Sequence, residues 1–206
     1  MNDQIPKLGF IGLGLMGQAF TRRLCGLGYQ VTGFDLDGAK VETAAGHGVL
    51  AASSAAELTA RSDIVLLCVT STDAVRAAVF GPGGVVEAAN GGKLLVDHST
   101  TIVQATKDMA AELRDRTGMA WGDAPVSGGP QGADAGTIAI MVGASTAQFE
   151  RIRPTLETIS PNVFHAGEVG SGHVMKVVNN VMSAANRAIA FEAVTLAVKN
   201  GIDPNV

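Results

Sequence analysis

Cysteine is scarce in this chain: only Cys25 and Cys68 occur, both inside apolar runs and with neither metal-ligand spacing nor a disulfide framework. That usage points to a reducing compartment and to two inert core thiols. Charge is scarce as well. Charged residues are 17% of the 206, and the formal net charge of -4 leaves no basic face for a phosphate backbone. Nucleic acid is therefore excluded as an expected partner, while a small acidic metabolite on a local basic pocket stays compatible. No uninterrupted apolar run reaches the ~18 residues of a membrane span. The opening Met1-Asn2-Asp3-Gln4 lacks the basic region and apolar stretch of a signal peptide, so a cytoplasmic location without membrane contact is expected. The four histidines (His47, His98, His165 and His173) share no spacing and cluster with no cysteine or carboxylate set, so no metal site is expected.

Glycine and apolar residues are plentiful: 26 glycines, and 47% hydrophobic residues. This composition suits a buried sheet with tight turns around it. From Lys7 to about Phe164, short apolar runs alternate with helical patterns, the mark of a parallel sheet covered on both faces. Strands are predicted at Leu8–Ile11, Gln30–Phe34, near Val49, Ile64–Val69, Leu94–Asp97, Met119–Asp123, Ile138–Val142 and Asn162–His165. Helices are predicted at Leu15–Leu27, Ala39–Ala45, Ala55–Thr59, Asp73–Phe80, Ile102–Thr117 and Thr146–Thr158, with glycines where they should stop. His173–Asn200 contains neither Gly nor Pro, and its apolar residues recur at helical spacing from Val174 to Ile189. The expected fold is α/β: a Rossmann-like, doubly wound, mostly parallel sheet over residues 1–168. Residues 169–206 form a long interdomain helix that begins an all-helical domain. That helix has nothing to cover its apolar side, so the chain reads as a piece of a longer protein and as one that self-associates through the helix.

Gly12-Leu13-Gly14-Leu15-Met16-Gly17 matches G-x-G-x-x-G, and it follows a predicted strand and opens a predicted helix. A second strand then ends at Asp35, 18 residues after Gly17. In a dinucleotide site Gly12 permits the tight turn, Gly14 lets backbone N–H groups approach a pyrophosphate, and Gly17 lets helix and strand lie close. The bland alternative is a plain strand-to-helix turn. A carboxylate at position 35 accepts from a ribose 2′-hydroxyl and repels a 2′-phosphate, so NAD is favoured over NADP. Val69 and Thr70, at the end of the fourth strand, are further cofactor candidates.

The loop Asp123-Ala124-Pro125-Val126-Ser127-Gly128-Gly129 leaves a predicted strand at the edge where open α/β sheets bind ligands. Ser127, Gly128 and Gly129 offer a hydroxyl and open N–H donors suited to a carboxylate, or else form a flexible connector. On the long helix, Lys176 and Asn180 lie four residues apart on a polar stripe continued by Ser183 and Arg187. Oxidation of an alcohol requires a group to take the hydroxyl proton, and reduction requires an acid; Lys176 could serve both directions, with Asn179 or Asn180 orienting the substrate. A lysine snorkelling to solvent is the alternative. His98 could touch a cofactor or merely hydrogen-bond a neighbouring turn.

The glycine fingerprint, the Asp123–Gly136 loop and the run Gly170-Ser171-Gly172-His173-Val174-Met175-Lys176-Val177-Val178-Asn179-Asn180 together resemble the 3-hydroxyisobutyrate dehydrogenase family of β-hydroxyacid dehydrogenases. That family includes tartronate semialdehyde reductases and is related to 6-phosphogluconate dehydrogenase. The resemblance implies an NAD-dependent oxidoreductase acting on a small hydroxy acid, with Lys176 as the proton-transfer group. It also implies substrate contacts at Ser127, Gly128, Gly129 and Asn180, and it places Thr100 beside the nicotinamide. Members continue into a further all-helical segment with another lysine motif, which is not in this chain. Two other readings stay open: an imine or 2-oxo-acid reductase on the same scaffold, against which Lys176 counts, and a dinucleotide-binding redox sensor or interaction module without turnover.

Overall fold

Four consecutive buried residues, Leu8–Ile11, open the sheet; a strand buried on both faces reads as a continuous apolar run because no side of it meets water. The computed structural model describes residues 5–205, so Met1–Gln4, read above for the lack of a leader, and Val206 lie outside the described residues. The elements are β1 (Leu8–Ile11), α1 (Leu15–Gly26), β2 (Val31–Phe34), α2 (Gly38–Ala45), β3 (Leu50–Ala51), α3 (Ala55–Arg61), β4 (Ile64–Leu67), α4 (Thr72–Phe80) and a 3-10 turn at Val85–Glu87. They continue as β5 (Leu94–Asp97), α5 (Val103–Thr117), β6 (Ala120–Asp123), β7 (Val126–Ser127), α6 (Gly129–Ala135), β8 (Ala139–Gly143), α7 (Thr146–Ile159), β9 (Val163–Gly167) and α8 (Ser171–Lys199).

The strands run in the order β3-β2-β1-β4-β5-β6-β8-β7, with β9 on the other edge of β8. All pairings from β3 across to β6 are parallel. Only β6 and β7 meet β8 antiparallel, while β9 lies parallel to it, so the expectation of a mostly parallel, doubly wound sheet holds. The chain reverses between β1 and β4, the switch point that opens a ligand crevice at the carboxyl ends of the strands. Two elements differ from the reading above. Val126–Ser127 pairs with Ala139–Ile140, and Gly129–Ala135 is a helix rather than loop. Segments this short and glycine-rich carry no periodicity, and their order comes from β8 beside them. The fourth strand ends at Leu67, so Val69 lies past the ladder.

Side-chain alternation sorts the sheet's residues between two core layers. Leu8, Phe10, Leu66 and Val96 pack with Phe20 and Leu24 of α1 on one face. Val65, Leu67 and Leu95 pack with Leu58, Val75 and Leu113 of α3, α4 and α5 on the other. Both cysteines are free and lie against the first layer; burial pushes Cys68 up to about 12 and raises Cys25, so neither forms thiolate readily. Helix α8 has 29 residues and spans about 43 Å at 1.5 Å each. Of these, Gly172 and His173 are buried, whereas Val177, Val181, Ile189, Phe191 and Leu196 are exposed. By length and composition alone α8 could cross a membrane, though its first turns lie against β6, β8, β9 and α5.

His98 shows how the core treats a titratable group. Its ring stacks on Phe20 at 5.1 Å, and Nδ1–H donates to the Ala124 carbonyl at 2.7 Å. It is therefore a turn-bonding core histidine. Burial pulls its pKa from 6.5 down to about 4, against the opposing pull of the Ala124 carbonyl. Below pH 6.5 the unfolded chain takes a proton that the folded chain refuses until about pH 4, so this group's contribution is lost as pH falls through that window. Between pH 7 and pH 4.5 the loss amounts to about 2 to 3 kcal/mol at ~1.36 kcal/mol per unit. Urea unfolding at pH 7 and pH 4.5 is expected to show wild type losing that much more stability on acidification than His98→Leu. Parallel losses in the two proteins would contradict a neutral buried imidazole.

Candidate functional site

Six strand ends finish in one register row: Phe34 beside Ile11, Ile11 beside Leu67, Leu67 beside Asp97, Asp97 beside Asp123, and Asp123 beside Gly143. The residues just past that row form the crevice. Gly12, Asp35, Val69, Thr70, Thr100 and Ser127 each follow one of these strand ends, so these six candidates lie along one edge of the sheet. Thr70 and Thr100 are exposed there, and Val69, half-buried, donates its N–H to Ser99 Oγ at 2.9 Å.

The three fingerprint glycines face different surroundings. A Cβ on Gly12 would run into the Cys68 carbonyl, and Gly12 sits at φ +91°, where side chains are strained. A Cβ on Gly17 would run into the Gly12 carbonyl, so this glycine lets α1 lie on β1. Around Gly14 there is nothing within 4 Å. Gly14 is the N-cap of the 12-residue helix α1, has no side-chain cap, and no acidic residue stands in the first turn. Free N–H groups at the positive end of a helix, with open space in front, fit a pyrophosphate. Leu13 is buried under this turn, Met16 is half-buried, and Leu15 is exposed at the mouth.

Asp35 closes the far side. Its carboxylate accepts from Leu13 N at 2.7 Å and from Asp37 N at 2.9 Å. Lys40 lies 3.7 Å from both Asp35 and Asp37, a neighbour that the sequence reading did not consider. Its distance along α2 hid it; a basic residue one helical turn past an Asp-x-Asp is the signal that could have shown it. Two carboxylates still outweigh one ammonium, so the corner remains unfavourable for a 2′-phosphate.

On the other side of the crevice, Asn179 Nδ2 donates to Ser127 Oγ at 3.2 Å, which joins α8 to the substrate-loop candidate. Lys176 lies one turn earlier on the same helix face, half-buried among exposed neighbours, and desolvation lowers its pKa. Asn180 is exposed, as is Arg187 further along the stripe. Gly128 and Gly129 both have positive φ, at +133° and +67°; a Cβ on Gly128 would press on Ile138, whereas Gly129 faces open space.

The sequence reading missed what holds α8 in place. Gly170, its N-cap, has no side-chain cap of its own. The cap comes from Asp123, 47 residues away: Oδ1 accepts from Gly170 N at 2.6 Å and Oδ2 from His173 N at 2.8 Å. His173 is buried with its Nδ1 3.3 Å from Asp123 Oδ2, and its Nε2–H reaches the Ser99 carbonyl at 2.9 Å. A Cβ on Gly143 would lie 2.5 Å from Asp123 Oδ1, so this glycine makes room for the carboxylate; one on Gly172 would run first into the Met141 carbonyl of β8 and lie 2.9 Å from Asp123 Oδ2, so this glycine lets α8 approach both the sheet and the carboxylate. Burial pushes Asp123 up, while the two amides and the imidazole pull it down. A glycine N-cap before a long helix was the available signal. Among the described residues no group of three metal-ligating side chains is present.

The contrast among the glycines gives a direct test. Gly14→Ala is expected to leave thermal unfolding unchanged within about 1 °C and to weaken NAD binding at least tenfold by fluorescence titration. Gly17→Ala is expected to lower the melting temperature by several degrees, through overpacking worth about 1–3 kcal/mol. Equal NAD affinity of Gly14→Ala and wild type would remove the pyrophosphate from this turn.

Comparison with known proteins agrees with this geometry. Residues 7–167 match the family described as the NAD binding domain of 6-phosphogluconate dehydrogenase, and residues 170–206 match that of the NAD-binding of NADP-dependent 3-hydroxyisobutyrate dehydrogenase. A 2-(hydroxymethyl)glutarate dehydrogenase from Eubacterium barkeri is 40% identical over 198 residues, 96% of this chain and 65% of the relative. The solved structure of a Mycobacterium tuberculosis 3-hydroxyisobutyrate dehydrogenase with L-serine superposes with a TM-score of 0.91 at 36% identity, covering 97% of this chain and 67% of that one. An imine reductase from Myxococcus stipitatus, bound to NAD+, has a TM-score of 0.89 at 23% identity over 97% of this chain and 68% of its own, a likeness of fold alone. This chain thus spans about two thirds of the length of these relatives. With the dinucleotide-binding domain and the lysine helix both matched, the chain belongs to the 3-hydroxyisobutyrate dehydrogenase family of β-hydroxyacid dehydrogenases.

Proposed function

We propose that the protein is an NAD-dependent oxidoreductase that interconverts a small 3-hydroxy acid and its aldehyde, with Lys176 as general acid and base. The observation that carries this reading is the Asn179–Ser127 contact, which holds the Lys176 face of α8 over the loop leaving β6. The relatives reported above are named for, or hold, 2-(hydroxymethyl)glutarate, 3-hydroxyisobutyrate and L-serine. All three carry a hydroxymethyl group on the carbon bearing a carboxylate. For this chain, Ser127 and the open N–H groups at Gly128–Gly129 suit that carboxylate, with Asn179 and Asn180 as polar contacts beside it.

When bound, the nicotinamide accepts or returns the hydride. Gly12–Gly17 would hold the pyrophosphate, Asp35 the adenosine ribose, and Val69, Thr70 and Thr100 the crevice wall beside the ring. Lys176 takes the hydroxyl proton in oxidation and returns it in reduction. Desolvation favours its neutral amine, which raises the fraction able to act as a base near neutral pH. A lysine at this position favours alcohol over imine chemistry. The exposed apolar side of α8 fits self-association or a further helical segment, and the two free thiols fit a reducing cytoplasm.

Lys176→Ala is expected to lower turnover by about 10²–10⁴-fold with NAD affinity unchanged. Turnover is read on 3-hydroxyisobutyrate, 2-(hydroxymethyl)glutarate and L-serine; a large loss of cofactor affinity instead would take Lys176 out of proton transfer. Asp35→Ala is expected to weaken NAD and narrow the gap to NADP in parallel titrations, and an unchanged preference would move cofactor selection elsewhere. Light scattering is expected to show a dimer or larger species, and a stable monomer would count against association through α8.

A further inference from the structure

Asp123 ends β6 four residues before Ser127 and is buried there. Its two oxygens hold two backbone donors at the start of α8, Gly170 N and His173 N. From His173 the helix face runs at three-residue steps through Lys176 to Asn179. His173 rests at Asp123, and Asn179 rests on Ser127. The segment from Asp123 to Ser127 therefore meets this face at both ends, and Lys176 sits between the two contacts. We infer that Asp123 is a positioning residue for proton transfer, fixing the first turn of α8 so that the Lys176 amine stands over the substrate loop. The inference rests on the assignment of proton transfer to Lys176.

Nothing else in the first turn can substitute. Its N-cap is a glycine with φ +95° and no side chain, and the turn's own side chains give no cap. Gly143 and Gly172 leave space that Asp123 fills and that a longer side chain would overfill. Asp123→Asn keeps the shape but turns one oxygen into an N–H facing a backbone N–H, which releases one of the two amides.

Three measurements on the intact protein test this. Turnover is read with NAD and whichever of 3-hydroxyisobutyrate, 2-(hydroxymethyl)glutarate or L-serine reacts fastest, in wild type, Asp123→Asn, Lys176→Ala and the double variant. NAD affinity is titrated by fluorescence, and amide exchange is followed at Gly170 and His173. Asp123→Asn is expected to cut turnover about 10- to 100-fold with NAD affinity within about twofold, and to cost almost nothing further in the Lys176→Ala background. Exchange at Gly170 and His173 is expected to quicken at least tenfold while β1 and β4 stay protected. Equal losses in both backgrounds, or unchanged exchange at the two amides, would overturn the inference. Full turnover by Lys176→Ala alone would sink the proton-transfer reading and this inference with it, and the single variant identifies that case. Where Asp123→Asn does not fold, Asp123→Ser, smaller and still an acceptor, carries the same comparison.

Discussion

A carboxyl group buried at the start of α8, a helix whose N-cap residue brings no side chain of its own, is the constraint on which the arrangement of this molecule turns. A charge taken from water without partners costs several kcal/mol. Asp123 is spared that cost because two amides at the positive end of a helix point at it, each a charge-assisted bond worth about 1.5–3 kcal/mol. The arrangement works in both directions: the helix start needs an acceptor as much as the carboxylate needs donors. Gly143 and Gly172 are consequences of the same contact, since a side chain at either would displace the carboxylate or the helix. The longest helix of the described chain is thus tied to the sheet at one end, where His173 and Gly172 are buried, touches the Ser127 loop at Asn179, and beyond that is mostly exposed.

What could be read from the sequence follows from how far apart the interacting residues lie. The fingerprint was legible because its constraints are local: Gly12, Gly14 and Gly17 meet obstacles or space set by the adjoining strand and helix. The parallel sheet was legible because β1, β4 and β5 are uniformly buried and so uniformly apolar. Lys176 was singled out by its helical spacing to Asn180 and by family resemblance, whereas Asn179, offered only as an alternative to Asn180, is the one that meets Ser127. Asp123 as a helix cap was not, because its partners Gly170 and His173 lie 47 and 50 residues further on and neither carries a capping side chain. β7 and α6 escaped for a related reason: Val126–Ser127 has too few residues to show alternation, and its strand character exists only against β8.

The same end of the sheet holds a second buried carboxyl, and the two are not equivalent. Asp97 and Asp123 end neighbouring strands in direct register. Burial raises Asp97, with Asp123 adding to the rise, while Ser99 and His173 oppose it. Asp97 Oδ1 takes the Ser99 N–H at 2.9 Å, but Oδ2 has no partner. Two like charges on adjacent strand ends repel strongly, and the charge settles where donors converge. Asp123, with two amides and an imidazole, is that place, and Asp97 is the carboxyl better suited to keep its proton.

One helical turn past His173, on the same face, stands Lys176, where partial desolvation disfavours the ammonium. The Asp123 carboxylate is taken up by the two helix amides and the His173 ring, so its work at this strand end is to fix the start of the helix that carries the lysine. The scarcity of charge that marks the sequence as a whole is repeated at this strand end, where proton transfer, as proposed, falls to one half-buried lysine whose neutral amine is favoured by desolvation.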